Sequence, residues 1–390
     1  MNPIELRAKL ANDARTEAQL SRHVIQCDTT ISGKLTCNGG HFINYSSNDY
    51  LGLAQHPDLK QSFKEGVDRY GSGSSASPLV IGQSAAHHQL EEKLCDWLGY
   101  DTAVLFGSGF SANQSILFSL LSKGDLLLQD RLNHASLIEA GLFCTATMKR
   151  FKHNDPQHLF SLLESASVDT PKMVVTEGVF SMDGDISPLN IISNRLADDT
   201  CFMVDDAHGI GVLGRGGRGT TDYLKVKPDV LVVTFGKAFG IAGAAVLCNS
   251  ELGRYLKQFA RHYVYSTAMP PAQAQALCKA TEIVEEEEWR RDKLRSLSHY
   301  FHNKTAHFTD VVKTKTPIKP IVMGSSERAL NLSSWCKQNG CWLTAIRPPT
   351  VPNNTARVRL TLTANHTESM LNTLIDSMEQ YYEQDKGIVC

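Results

Sequence analysis

DVLVVTFGKAFG, residues 229–240, places a lysine where lysines are rarely found. An apolar, β-branched run ends in Thr234, and Lys237 follows between Gly236 and Gly240. Such a run suits a strand buried on both faces of a largely parallel sheet. The carboxyl ends of such strands are where open α/β sheets bind ligands. Small residues on either side let the backbone approach a ligand closely. An amine held there loses basicity and can act as a nucleophile. A lysine is ordinarily a surface residue, so the position gains meaning only from its companions.

The first companion is MVDDAHG, residues 203–209. A second apolar strand ends in Asp205 and Asp206, with His208 just beyond. Either residue alone would read as a cap or a turn residue. At a strand end, a carboxylate and an imidazole three residues apart can both address one planar heterocycle. The second companion is Gly107-Ser108-Gly109-Phe110, between the strand TAVLF and a helix expected from about Ala112. Free backbone N–H groups at a helix start favour a phosphate. Thr234 adds a hydroxyl, and His134 in NHAS could stack on a ring. Together these groups meet the needs of pyridoxal 5′-phosphate. The lysine forms a Schiff base, the carboxylate faces the pyridine nitrogen, and the imidazole reaches the phenolic oxygen.

The rest of the chain fits an α/β layer architecture. Runs such as DLLLQD, MVVTEGVF, CFMVDD and GAAVLC read as strands, with AAHHQLEEKLCDWLG and HASLIEAGLF as helices between them. The expected fold has a large domain (44–285) with a mostly parallel central sheet flanked by helices. A smaller α/β C-terminal domain (286–390) follows, with KPIVMG, CWLTAI and ARVRLTL as strands. An N-terminal arm (1–43) precedes them, with an amphipathic helix over 1–23 and a small hairpin. One long helix is expected from Ala272 to about Lys304. Its charge run Glu285–Glu288, Trp289, Arg290, Arg291 reads as a solvated face.

Composition excludes several classes. Of 390 residues, 42% are hydrophobic and 21% charged, as in soluble globular proteins. A net charge of −2 gives no reason to expect nucleic acid or an anionic membrane. No apolar run approaches the roughly 20 residues needed to span a bilayer. The ten cysteines form no CxxC pair, which argues against zinc or a disulfide framework, and no metal is expected. With no recognisable signal peptide, the expectation is a cytoplasmic enzyme. Gly214–Gly219 matches G-x-G-x-x-G, the mark of a nicotinamide-dependent oxidoreductase. It follows a turn and precedes no apolar helix, so a glycine-rich loop is the reading. Serines of GSGSS (71–75) could also touch phosphate.

At this point the chain resembles the α-oxoamine synthases, a branch of the fold-type-I pyridoxal phosphate transferases. The likeness runs through SSNDYLGL (46–53), GSGFSANQ (107–114), NHAS (133–136), TEGVFSMDGD (176–185), VDDAHGIGVLG (204–214), TFGKAFG (234–240), YSTAMPPA (265–272) and RVRLT (357–361). The resemblance implies that Lys237 is the Schiff-base lysine and base, Asp205 the pyridine-nitrogen partner, His208 the phenolic-oxygen partner and His134 the stacking residue. It implies Gly109, Phe110, Ser181 and Thr234 at the cofactor. Thr267 would reach the phosphate of a neighbouring subunit, because members are homodimers with shared active sites. Arg359 is implied as the clamp for the amino acid carboxylate, with Arg22, Asn48, His134 and Thr350 near the substrates. IRPPTVP (346–352) and FARHYVYST (259–267) are most similar to the branch that condenses L-alanine with a pimeloyl thioester, on CoA or an acyl carrier protein, releasing carbon dioxide. A sister branch that joins glycine to an acetyl thioester is the alternative. Departures lie at Ala76-Ser77-Pro78, Ala238, Ile241 and Ala242, and bear on the acyl pocket.

Overall fold

The structure is a computed structural model that describes residues 1–387 apart from 19, 23 and 32. Seven strands form the central sheet, in the spatial order Thr102–Phe106, Ala244–Cys248, Val230–Thr234, Thr200–Asp205, Lys172–Glu177, Leu126–Asp130, Thr147–Phe151. Only Ala244–Cys248 runs against its neighbours. The mostly parallel sheet expected from the apolar runs is therefore present. Alternate side chains enter two cores, one on each face. Leu231, Val233, Phe202 and Val204 join one, and Val230, Val232, Met203 and Val175 the other. Burial on both faces explains why these strands read as unbroken apolar runs. The edge strand Thr147–Phe151 escaped the sequence reading because its exposed Lys149 and Arg150 interrupt the run.

The first core continues into the C-terminal elements through Ile318, Val358, Leu360 and Leu371. There an antiparallel sheet joins Ile318–Gly324, Ala356–Thr361 and Thr344–Ile346. The expected CWLTAI strand is split: Cys341–Trp342 pairs instead with Gly40–Asn44, in parallel. The expected hairpin is found as Lys34–Cys37 against Gly40–Asn44. It thus shares a sheet with a C-terminal strand.

Three expectations need correction. The single helix over 272–304 is two, Pro271–Glu286 and Glu288–Lys304, broken at Glu287 (ψ 65). The solvated-face reading fails for Arg290 and Arg291, which are buried. Arg290 Nη1 donates to the Leu51 carbonyl and Arg291 Nη1 to that of Val284, while Glu287 and Glu288 pair with their guanidinium groups. The amphipathic helix at the N-terminus spans only Pro3–Glu17 and buries no residue; Ile4, Leu6 and Leu10 are exposed. The Gly214–Gly219 stretch follows a turn, as expected. However, a short helix, Gly219–Leu224, does open at its end. Gly219 is required there: at φ +89 an added Cβ would lie 2.0 Å from Asp206 Oδ2.

Candidate active site

The carboxyl ends of five strands meet at one edge of the sheet and enclose a cavity of about 300 Å³. Phe106 leads into Gly107–Phe110, Asp130 into His134, and Thr234 into Lys237, while Glu177 and Asp205 end their own strands. Of the residues singled out in the sequence, Asn48, Gly109, Phe110, His134, Asp205, His208, Thr234 and Lys237 line this one cavity.

Asp205 is held from two sides. Asn113 Nδ2 donates to Oδ2 at 2.7 Å and the Ala207 N–H to Oδ1 at 3.0 Å. Asp206, next in the chain, serves the loop instead: the Thr220 N–H donates to its Oδ2 at 2.7 Å, and burial pushes its carboxyl up to about 7. His208 is buried, with Nδ1 2.6 Å from the Tyr50 hydroxyl. Burial drives its basicity well down, helped by the nearby charges of Lys237 and Arg359. Burial likewise lowers His134, against the pull of Asp205. Its Nδ1 lies 2.8 Å from Ser136 Oγ. Ser136 also accepts from Asn113, so one network fixes both His134 and Asp205.

Lys237 Nζ lies 3.5 Å from Thr234 Oγ1 and has no ion pair among the described residues. Burial lowers its pKa; Asp205 and Glu177 oppose this, and Arg359 adds to it. The amine therefore reaches its neutral, nucleophilic form more readily than a surface lysine. Glu177 was missed as a site residue. It lines the cavity, accepts the His134 N–H at 2.5 Å, and burial beside Asp205 raises its carboxyl well above the ordinary range.

The helix after Phe106 begins at Gly109, not Ala112, with Ser108 as its N-cap. Its first residues, Gly109 and Phe110, line the cavity together with Thr234. A Cβ on Gly109 would fall 2.5 Å from Thr234 Cγ2, so this close approach needs glycine. Thr267 lies apart, in an adjoining cavity that shares Gly107 and Ser108 with the first. Ser181 does not line the cavity; its carbonyl accepts from Arg359 Nε at 2.6 Å. Arg359 Nη1 donates to Asn48 Oδ1 (3.0 Å) and Thr361 Oγ1 (3.1 Å), its guanidinium also bonds the Tyr50 hydroxyl, and Arg359 does not line the Lys237 cavity itself. Arg22 and Thr350 contact each other at 2.9 Å, and neither lines the Lys237 cavity. In the GSGSS run, Ser74 donates to the Met269 carbonyl.

A family model described as aminotransferase class I and II matches residues 40–378. The chain belongs to the aminotransferase class I and II family. Members of this family with a fold-type-I scaffold take pyridoxal 5′-phosphate, and so does this chain. It is 56% identical over 347 residues to a curated 8-amino-7-oxononanoate synthase from Aliivibrio fischeri, covering 89% of this chain and 90% of that one. A solved serine palmitoyltransferase from Sphingomonas wittichii superposes with a TM-score of 0.92 at 25% identity, covering 97% and 98%. An 8-amino-7-oxononanoate synthase structure from Francisella tularensis gives 0.75 at 31% identity, covering 88% and 99%.

The donor set of this aminotransferase-family site fits the cofactor. A phosphate has the helix start at Gly109 and the Thr234 hydroxyl; a ring nitrogen has the Asp205 carboxylate; an aldehyde carbon has the Lys237 amine. Among the described residues no His/Cys/Asp/Glu group is arranged for a metal ion, and no helix is long and apolar enough to cross a membrane.

Proposed function

We propose that this enzyme joins L-alanine to a pimeloyl thioester, giving 8-amino-7-oxononanoate, carbon dioxide and free thiol. The observation that carries the substrate assignment is the 56% identity, along nearly nine-tenths of both chains, to a curated enzyme named for that product.

Bound pyridoxal phosphate supplies an electron sink for the α-carbon of the amino acid. The chain's residues do the rest. Lys237 would hold the cofactor through Nζ, and the same nitrogen, when free, would take the α-proton of the amino acid. Its lowered basicity, set first by burial, makes the neutral amine easier to reach than on a surface lysine. Asp205, oriented by Asn113 and the Ala207 N–H, would hold the ring nitrogen and favour its protonated form. His134 would pack against the ring of the bound cofactor, and His208, hydrogen-bonded to Tyr50, would serve its phenolic oxygen; both line the Lys237 cavity. Burial favours the neutral form of both imidazoles, in which one ring nitrogen donates a hydrogen bond and the other accepts one. Arg359, braced by Ser181, Asn48 and Thr361, would take the alanine carboxylate through its planar guanidinium. That grip would orient the bonds of the α-carbon. The enzyme is read as a cytoplasmic homodimer in which Thr267 would reach the phosphate site of the neighbouring subunit, as the family resemblance implies.

The test is product identity. L-alanine with pimeloyl-CoA is expected to give the mass of 8-amino-7-oxononanoate at a rate far above glycine with acetyl-CoA or L-serine with a long-chain acyl-CoA. A faster reaction with either of the other pairs would replace the assignment.

A further inference from the structure

A second cavity, of about 790 Å³, shares no lining residue with the Lys237 cavity. It lies between the glycine-rich turn at 213–215, one face of helix Glu288–Lys304, and the loop 313–317. Val212, Leu213, Leu294 and Pro317 give it an apolar wall. Arg215, Arg295, Lys313 and Lys315 give it a cationic rim. Its lining holds one carboxylate, Asp222, whose Oδ2 is already taken by the Arg215 N–H at 2.7 Å. Arg295 is paired with Glu288 and Asp292. Arg215, Lys313 and Lys315 have no ion pair among the described residues.

The charge imbalance reaches into the wall. Lys319 is fully buried and donates only to neutral oxygens: Ser298 Oγ, and the carbonyl and hydroxyl of Thr314. Ser298 and Thr314 both line the cavity. Burial alone brings this amine down to about 7. His302, also in the lining, has a buried Nε2 with no hydrogen-bond partner. Burial, with the charges of Lys319, Lys313 and His299, brings it down to about 4. A buried amine among neutral oxygens and further cations is costly unless an anion approaches. The carboxylates around the cavity are Asp222, held by the Arg215 N–H, and Glu288 and Asp292, paired with Arg291 and Arg295; none pairs with Lys319 among the described residues.

We propose that this cavity is a second ligand site, for a small organic anion that carries a phosphate or carboxylate on an apolar body. The anionic end lies against Lys313, Lys315 and His302, and the apolar body against Leu213, Leu294 and Pro317. The volume falls in the range of sites that enclose small molecules.

The test is isothermal titration calorimetry on the cofactor-loaded enzyme with L-alanine saturating, so that the Lys237 site is occupied. Phenyl phosphate and benzoate share an apolar body and differ in the anion; inorganic phosphate lacks the body. At least one aromatic probe is expected to bind at one saturable site per chain, with inorganic phosphate about tenfold weaker or more. The stronger aromatic probe identifies the anion. Lys313→Glu/Lys315→Glu, on an exposed loop, is expected to weaken binding about tenfold or more while keeping the Lys237-bound cofactor's absorbance. Lys149→Glu/Arg150→Glu, on an exposed edge strand, is expected to leave binding unchanged. The proposal is overturned by no saturable binding of either aromatic probe, by equal affinity in the Lys313→Glu/Lys315→Glu variant, or by equal loss in the edge-strand control.

Discussion

Arg359→Lys separates recognition of the amino acid from every other task of the site. Arg359 is buried and braced by the Ser181 carbonyl, Asn48 and Thr361, so its guanidinium is held in a fixed orientation. Lysine keeps the charge and most of the stem but lacks the planar fork. It cannot hold the Ser181 carbonyl and Asn48 while also reaching the substrate. A hydrogen bond to a charged group contributes about 1.5–3 kcal/mol, so its loss corresponds to roughly 10- to 150-fold in affinity. The expected result is a rise of that size in the KM for L-alanine. The KM for the thioester and the absorbance of the Lys237-bound cofactor are expected to stay near wild type. The comparator is Arg357→Lys. Arg357 is already engaged by Asp183 and the Thr355 carbonyl, so its replacement is expected to leave the alanine KM within about twofold. An unchanged alanine KM in Arg359→Lys, or an equal rise in Arg357→Lys, would refute the clamp.

Asp205→Asn is expected to retain cofactor but lower kcat by about two orders of magnitude or more, because the ring nitrogen loses its anionic partner; solvent exchange of the alanine α-proton at the wild-type rate would contradict this. Glu177→Gln is expected to stay within about threefold of wild-type kcat, since burial already disfavours that carboxyl's charge and an amide oxygen still accepts the His134 N–H; a loss as large as that of Asp205→Asn would show that Glu177 works as an anion. Gly109→Ala forces Thr234 aside and is expected to weaken cofactor binding about tenfold or more, with Thr234→Ser in the same chain restoring most of it by removing Cγ2; equilibrium dialysis of the cofactor decides, and no rescue would locate the strain elsewhere. His153 bridges Asp130 (3.0 Å) and Asp185 (2.8 Å), and although burial opposes its charge, those two bonds outweigh burial and raise it to about 10. A raised folded-state pKa stabilises fully below the unfolded value of 6.5 and is lost as pH climbs through about 10. His153→Gln is therefore expected to cost about 3 kcal/mol at pH 6 and progressively less toward pH 10; a thermal-shift gap that is constant across that range would count against the bridge.

Much of the site was legible because parallel strands buried on both faces leave a plain signature, and ligands gather at their carboxyl ends. Lys237, Asp205, His208 and His134 all follow apolar runs directly, so their strand positions fixed their common edge. Asn113, Ser136, Tyr50 and Glu177 were less visible. Asn113 lies inside a helix and Tyr50 far away in the chain, and only the fold brings them to Asp205 and His208. Glu177 stood in a quoted motif, and its place at the end of Lys172–Glu177 was the signal that could have found it. The charge run at 285–291 misled because a guanidinium can be buried by donating to distant carbonyls, a pairing no local pattern encodes. The break at Glu287 carries no proline or glycine to announce it.

The central claim is that Lys237 serves a decarboxylative joining of alanine to an acyl thioester, and carbon labelling addresses it most directly. With L-alanine carrying ¹³C in its carboxyl group and pimeloyl-CoA as acyl donor, the wild-type enzyme is expected to release labelled carbon dioxide one-for-one with free CoA. The 8-amino-7-oxononanoate formed should carry no label, and Lys237→Ala should release neither. Labelled pyruvate in place of carbon dioxide, or label retained in the condensed product, would contradict the account.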